Sequence, residues 1–212
     1  MHINIYIDKL LSFCFPLKAE SAYFIQWDVS TYRAKLTPSA SLGTRTYSLF
    51  SYKDKNVRKL IHSLKKEKVL SIRDAIASLM AEEIIGIFAD EYIFETTPIY
   101  LVPIPLSKKR LRERGFNQSA WIASKVAEIA GEGFAYKPQL LSKIKETKKQ
   151  SRLHRNERLS NPLGSFRASG VPKGARIIII DDVFTTGATT LEARKMLMQA
   201  GARSVDVFCV AH

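Results

Sequence analysis

The sequence predicts an α/β fold: a doubly wound parallel sheet from about residue 97, preceded by a small helical and mixed N-terminal appendage. Three observations predict it. Residues 177–180 are four consecutive isoleucines, the unbroken apolar run of a strand covered on both faces. Residues 99–104 (IYLVPI) form a second such run, ending at Pro103 and Pro105. Between residues 176 and 210, strand and helix patterns alternate with short connections, which suits a right-handed parallel βαβ unit.

Taken in order, residues 3–15 suit a short amphipathic helix. Residues 18–48 have mixed polarity, with loops marked by Pro38, Ser39, Ser41 and Gly43, and are expected to hold weak strands. Val57, Leu60, Ile61 and Leu64 recur at i, i+3, i+4 and i+7, the apolar stripe of a helix seated on a core. Ile76, Leu79, Met80, Ile84 and Ile87 repeat the helical pattern over residues 73–88. A basic loop is expected after the 99–104 strand, then a helix over 117–130 with Ile122, Val126 and Ile129 on its core face. Residues 134–141 suggest another strand, 176–180 a β-branched strand, 189–199 a helix and 204–210 a last strand. The expected division is residues 1–96 for the appendage and 97–212 for the core.

Composition excludes several classes. The chain has 212 residues, enough for one domain with an appendage or two very small domains; 46% are hydrophobic and 25% charged, ordinary for a soluble protein. Cys14 and Cys209 lie too far apart in sequence for a disulfide framework and are too few for a four-thiolate zinc site. Two reduced thiols in a cytoplasmic protein is the expected state. Residues 1–16 are apolar, but Asp8 and Lys9 interrupt the run and no basic leader or cleavage site is evident. No stretch approaches the roughly 18–20 apolar residues of a membrane span.

The formal charge of +13 is unevenly placed. Residues 106–118 carry Lys108, Lys109, Arg110, Arg112 and Arg114 against Glu113, a net of +4. Residues 142–161 carry a net of +5. Such clusters suit an anionic partner, either a polyphosphate ligand or nucleic acid, although solvated loops can also be this basic.

The 177–180 run leads into Asp181 and Asp182, then Thr185-Thr186-Gly187-Ala188-Thr189 just before a helical segment. In open α/β sheets ligands bind beyond the carboxyl ends of the strands. Gly187 permits a tight turn, the threonines donate hydroxyl hydrogen bonds, and the helix N-terminus presents free N–H groups, together an anion site suited to a phosphate monoester. Two carboxylates above it can accept hydrogen bonds from vicinal sugar hydroxyls. A lone DD or TTG would more often be a turn and a helix cap.

The thirteen-residue pattern 177–189 (IIIIDDVFTTGAT) resembles the phosphoribosyl-pyrophosphate signature of type I phosphoribosyltransferases. VPIPLSKKRLRERGFNQ (102–118), KKQSRLHRNERLSNPLGSF (148–166) and SLFSYKDKNVRKLIHSLK (48–65) are similar, in the same order, to the ComF/GntX competence-type branch of that superfamily. The resemblance implies a phosphoribosyltransferase core with the appendage as a hood. It implies 5-phosphoribosyl-1-pyrophosphate as ligand, with Mg²⁺ arriving on the diphosphate. Asp181 and Asp182 would hold the ribose, and Thr185, Thr186, Gly187, Ala188 and Thr189 the 5-phosphate. Lys108, Lys109, Arg110 and Arg114 would meet the diphosphate, with Gly115 allowing close backbone approach. In the other reading of RGFNQ, Asn117 is an N-cap and Phe116 packs. Residues 145–161, with Gln150, Leu153, Arg158 and Asn161, resemble the family's flexible loop over bound substrate. The implied activity is transfer of the phosphoribosyl group to a nucleophile that the sequence does not identify. The alternative is a non-catalytic competence or DNA-uptake factor whose basic face binds single-stranded DNA or competence-machinery proteins. The lack of aromatics between Lys143 and Pro162 counts mildly against that DNA reading.

The sequence departs from the family at its start. KLLSFCFP (9–16) resembles the lead-in to a zinc ribbon, yet no cysteine follows until Cys209, so no zinc is expected. Tyr23, Phe24, Ile25, Trp27 and Tyr47 are the expected apolar substitute for that metal-held core. His62, His154 and His212 have no metal-like spacing.

Overall fold

The computed structural model describes residues 7, 19–40, 42–43, 45–94, 97–145 and 162–212. The expected 3–15 helix falls almost wholly outside the described residues, as do Cys14, Gln150, Leu153, His154, Arg158 and Asn161 of the second basic segment.

From residue 19 the described residues form two short helices, α1 (Ala19–Phe24) and α2 (Val29–Lys35), in the first part of the stretch where weak strands were expected. Two local features account for the difference. Asp28 caps α2, its carboxylate accepting from the Thr31 amide at 2.8 Å. Phe24, Trp27 and Tyr32 then stack edge-to-face at ring separations of 5.0 and 5.3 Å, so their apolar area is buried among themselves. Of the expected apolar substitute, Phe24, Ile25 and Trp27 are buried, Tyr47 stacks on Phe208, and Tyr23 is exposed.

Strand β1 (Thr46–Phe50) and helix α3 (Lys55–Lys66) follow. Asp54 caps α3 by accepting from Asn56 N at 2.7 Å, and the predicted stripe Val57, Leu60, Ile61 and Leu64 is wholly buried. The 25-residue α4 (Leu70–Phe94) follows and contributes to the same hydrophobic core. Then come β2 (Ile99–Pro103), a short helix α5 (Lys108–Arg114) and helix α6 (Gln118–Ala130). The expected basic loop is therefore largely helical. Ser107 caps α5 and Gly115, at φ +79°, closes it, both local signals that its charge density obscured. Asn117 caps α6 as the sequence suggested, accepting from the amides of Ser119 and Ala120. Ile122 and Val126 face the core, but Ile129, in the last turn beyond them, is 40% exposed.

Strand β3 (Phe134–Tyr136) precedes a small antiparallel hairpin, β4 (Leu141–Lys143) with β5 (Phe166–Ala168). The chain ends with β6 (Arg176–Val183), α7 (Ala188–Gln199) and β7 (Ser204–Ala211).

The main sheet has the order β1-β7-β6-β2-β3 and every pair is parallel. It crosses the expected boundary at residue 96, since β1 is its edge strand beside β7. Alternate side chains of β6 enter two cores. Ile178 and Ile180 pack with α3, α4 and α6 on one face; Ile177 and Ile179 pack with Ala193 and Leu197 of α7 on the other. Each such isoleucine contributes roughly 1.5–3 kcal/mol of burial free energy.

This topology positions the site. From β2 the chain passes through α6 to β3, moving outward in one direction; from β6 it passes through α7 to β7, moving in the other. The two segments leaving β2 and β6 therefore diverge and leave a crevice at their carboxyl ends. α5 stands beyond β2, and the turn at 184–187 stands beyond β6. Among the described residues no helix is long and apolar enough to cross a membrane.

Candidate functional site

Asp181 and Asp182 lie within β6, with only Val183 after them, where β2 has already stopped: Pro103 pairs with Ile180, whereas Asp181 still pairs with Cys209 of β7. The sequence placed the pair where the chain leaves the sheet; the structure keeps it inside the last paired turn of strand. Both residues are buried, 8% and 6% exposed.

Buried carboxylates require partners, and the N-terminus of α6 supplies them. Gln118 Nε2 donates to Asp182 Oδ2 at 2.6 Å, and Ser119 Oγ donates to Asp181 Oδ1 at 3.2 Å. The Asp182 amide also donates to Asp181 Oδ1 at 2.9 Å. Asn117 fixes this corner twice, capping α6 and donating Nδ2 to the Ile104 carbonyl at 2.9 Å, which ties α6 to the end of β2. Lys65, in the last turn of α3, places Nζ 3.0 Å from the same Asp182 Oδ2.

Arg114, assigned by sequence to a diphosphate, hydrogen-bonds Gln118 Oε1 and so reaches Asp182 through that amide. Burial lowers the pKa of its guanidinium, opposed chiefly by the Asp182 charge and reinforced by Arg110. Lys108 and Lys109 are exposed on α5, and Arg110 is half-buried beside them. The structure thus gathers Asp181, Asp182 and Arg114 into one network with the rest of α5 at its margin. Arg158 lies outside the described residues.

The phosphate-type turn forms as its sequence suggests. Gly187 has φ +72° and precedes the first residue of α7; a Cβ there would strike the Phe184 ring. Thr190 Oγ1 donates to the Gly187 carbonyl at 2.9 Å, and the Ala188 amide points to Thr186 Oγ1 at 3.5 Å. Thr185 is exposed, and Thr186 and Thr189 are half-buried. Asp181 and residues 183–190 together line one small recess, so carboxylate and turn share a single opening.

Burial, and then the Asp182 charge, push the Asp181 carboxyl up to about 7, against the pull of the Asp182 amide, Lys65 and Ser119. The same burial and the two aspartates push the Cys209 thiol well up. A carboxyl raised in the fold makes the folded state bind more protons than the unfolded chain between the ordinary aspartate value near 4 and about 7. Stability from this group is therefore full below pH ~4 and is lost as pH rises towards 7. Asp181→Asn is expected to flatten that fall, which urea unfolding at pH 5 and pH 8 measures; an unchanged pH slope would refute it.

Three residues were missed as site members: Lys65, Gln118 and Ser119. Gln118 ends the RGFNQ motif and Lys65 ends the motif at 48–65, so both were within view. Nothing local signals that either meets Asp182.

No protein-family model matches the chain. The YhgH "DNA utilization protein" of Salmonella typhi is 32% identical over 151 residues, which are 71% of this chain and 65% of that protein. The "competence protein ComFC" of Streptococcus pneumoniae is 38% identical over 137 residues, 65% of this chain and 54% of its own length. ComFC of Bacillus subtilis is 29% identical over 205 residues, covering 95% of this chain and 79% of its own. The first two matches thus span less than two thirds of the relatives' lengths. Among solved structures, the allosteric regulatory enzyme of purine biosynthesis overlaps 80% of this chain and 31% of its own, at a TM-score of 0.43 and 16% identity, too slight a likeness to bear on function.

Proposed function

We propose that this chain, similar to competence protein ComFC and to YhgH, is a ComF-type protein that binds 5-phosphoribosyl-1-pyrophosphate with Mg²⁺ in the β2–β6 crevice. The observation that carries the reading is the opening shared by the buried Asp181 carboxylate and a threonine-glycine turn at the start of α7, with Asp182 buried beside it. The amides and hydroxyls of that turn suit the 5-phosphate. Asp181 Oδ2 and Asp182 Oδ1, the oxygens not taken by the bonds above, suit the vicinal ribose hydroxyls. The basic residues of α5 suit the diphosphate.

The donor set is compatible with Mg²⁺ carried on the diphosphate, because two carboxylate oxygens can accept from the waters of a hydrated cation. When bound, the cation would supply charge neutralisation on the diphosphate. The rest falls to the chain. Arg114 and Gln118 hold Asp182 in orientation, and the turn at 185–189 fixes the sugar phosphate. In the proposed transfer a nucleophile forms a bond to the anomeric carbon as its bond to the diphosphate oxygen breaks, and the electron pair leaves with the diphosphate. Positive charge develops on the sugar and negative charge on the leaving group, which fixed cations stabilise.

Calorimetric titration with phosphoribosyl pyrophosphate and Mg²⁺ tests the reading. Binding is expected, weakened about 10-fold or more by Thr186→Val, since a hydrogen bond to a charged phosphate contributes roughly 1.5–3 kcal/mol. A wild-type chain that does not bind would remove the proposal.

A second reading, a non-catalytic DNA-handling factor, is favoured by the names of the relatives and by the charge of +13. Ligand binding without pyrophosphate release over a broad panel of bases and amines would favour it over transfer.

A further inference from the structure

The ion pair between Lys65 and Asp182 joins the N-terminal half of the chain to the crevice. Lys65 closes the last turn of α3, its side chain 31% exposed, with Nζ 3.0 Å from Asp182 Oδ2. Gln118 Nε2 already donates to that same oxygen at 2.6 Å. Asp182 thus has a neutral donor holding its orientation, and orientation alone does not require the lysine. An ammonium carries three N–H donors, and the contact with Asp182 uses one. The remaining donors sit on a side chain that is part exposed, next to a carboxylate pair whose charge would repel an incoming polyphosphate.

We propose that Lys65 is a ligand-binding residue that bridges Asp182 to the diphosphate of the bound sugar phosphate. The inference rests on the binding reading above and assigns a further contact within that crevice. One cation between two anions offsets their repulsion, and α3 thereby makes the N-terminal half part of the binding surface. Arg114 differs in kind: it bonds Gln118 and acts on Asp182 through that amide.

Two ligands separate this role from simple support of Asp182. Phosphoribosyl pyrophosphate carries the diphosphate; ribose 5-phosphate keeps the hydroxyls and the 5-phosphate but lacks it. Lys65→Met is expected to weaken phosphoribosyl pyrophosphate binding about 10-fold or more and ribose 5-phosphate binding less than about 3-fold, with Lys65→Arg recovering most of the difference. Equal weakening of both ligands would overturn the bridge and leave Lys65 as support for the carboxylate. Unchanged affinity for both would overturn it as well. If the methionine variant fails to fold, the arginine and glutamine variants carry the same comparison: arginine retains the preference for the diphosphate ligand and glutamine loses it. Failure of wild type to bind either ligand would instead remove the underlying binding reading.

Discussion

Replacing Gly187 with valine is expected to cost about 2–5 kcal/mol of stability and to lower affinity for phosphoribosyl pyrophosphate by roughly 100-fold. Two independent terms add. At φ +72° an L-residue pays roughly 1–2 kcal/mol for the left-handed backbone, and a β-branched residue is the least suited to it. The Phe184 ring occupies the space where the new Cβ would stand, so the ring or the turn must move, an overpacking cost of roughly 1–3 kcal/mol. Movement of the turn displaces the amides at the start of α7, and the affinity loss follows from misplaced donors. Urea unfolding measures the first effect and calorimetry the second. Gly187→Val with wild-type affinity would mean that the turn does not hold the phosphate.

Tyr32→Ala is expected to destabilise the chain by about 3–5 kcal/mol, the usual cost of deleting a wholly buried aromatic side chain. Tyr32 has no exposed surface; it packs against Phe24 and Trp27 and donates its hydroxyl to the Phe24 carbonyl at 3.2 Å. Burial pushes its phenol above the usual tyrosine range, so it remains a neutral donor. The aromatic group at 24–32 stands in the stretch where the resemblance led one to look for zinc ligands. A melting temperature within a few degrees of wild type would show that this cluster does not support the α3–α4 layer. Tyr32→Phe, which keeps the ring and loses only the hydroxyl, is expected to cost about 1 kcal/mol.

Strands β2, β6 and β7 were legible because each is an apolar run covered on both faces, and that covering requires no information beyond the run itself. The turn at 185–187 was equally legible, since a positive φ and a helix start are demands that a few adjacent residues meet alone. Helices α1, α2 and α5 were less so. Aromatics and charges dominate their composition, and the caps at Asp28, Ser107 and Gly115 are single residues easily outweighed in a pattern count.

What the amino-acid order determined by itself, then, is local: periodicity, caps, the glycine turn and the pairing of two acids with a phosphate-type loop. What only the tertiary structure decided is which distant groups meet the acids. Lys65, Gln118 and Ser119 come from two helices far from β6 in sequence, and no short-range preference brings them to it. The parallel sheet does so, by ending β2 one residue before the acidic pair and sending α6 back across the opening. The aspartates become buried there, and a buried carboxylate must be hydrogen-bonded or neutralised, so the fold recruits the amide, the hydroxyl and the ammonium that its topology has brought within reach.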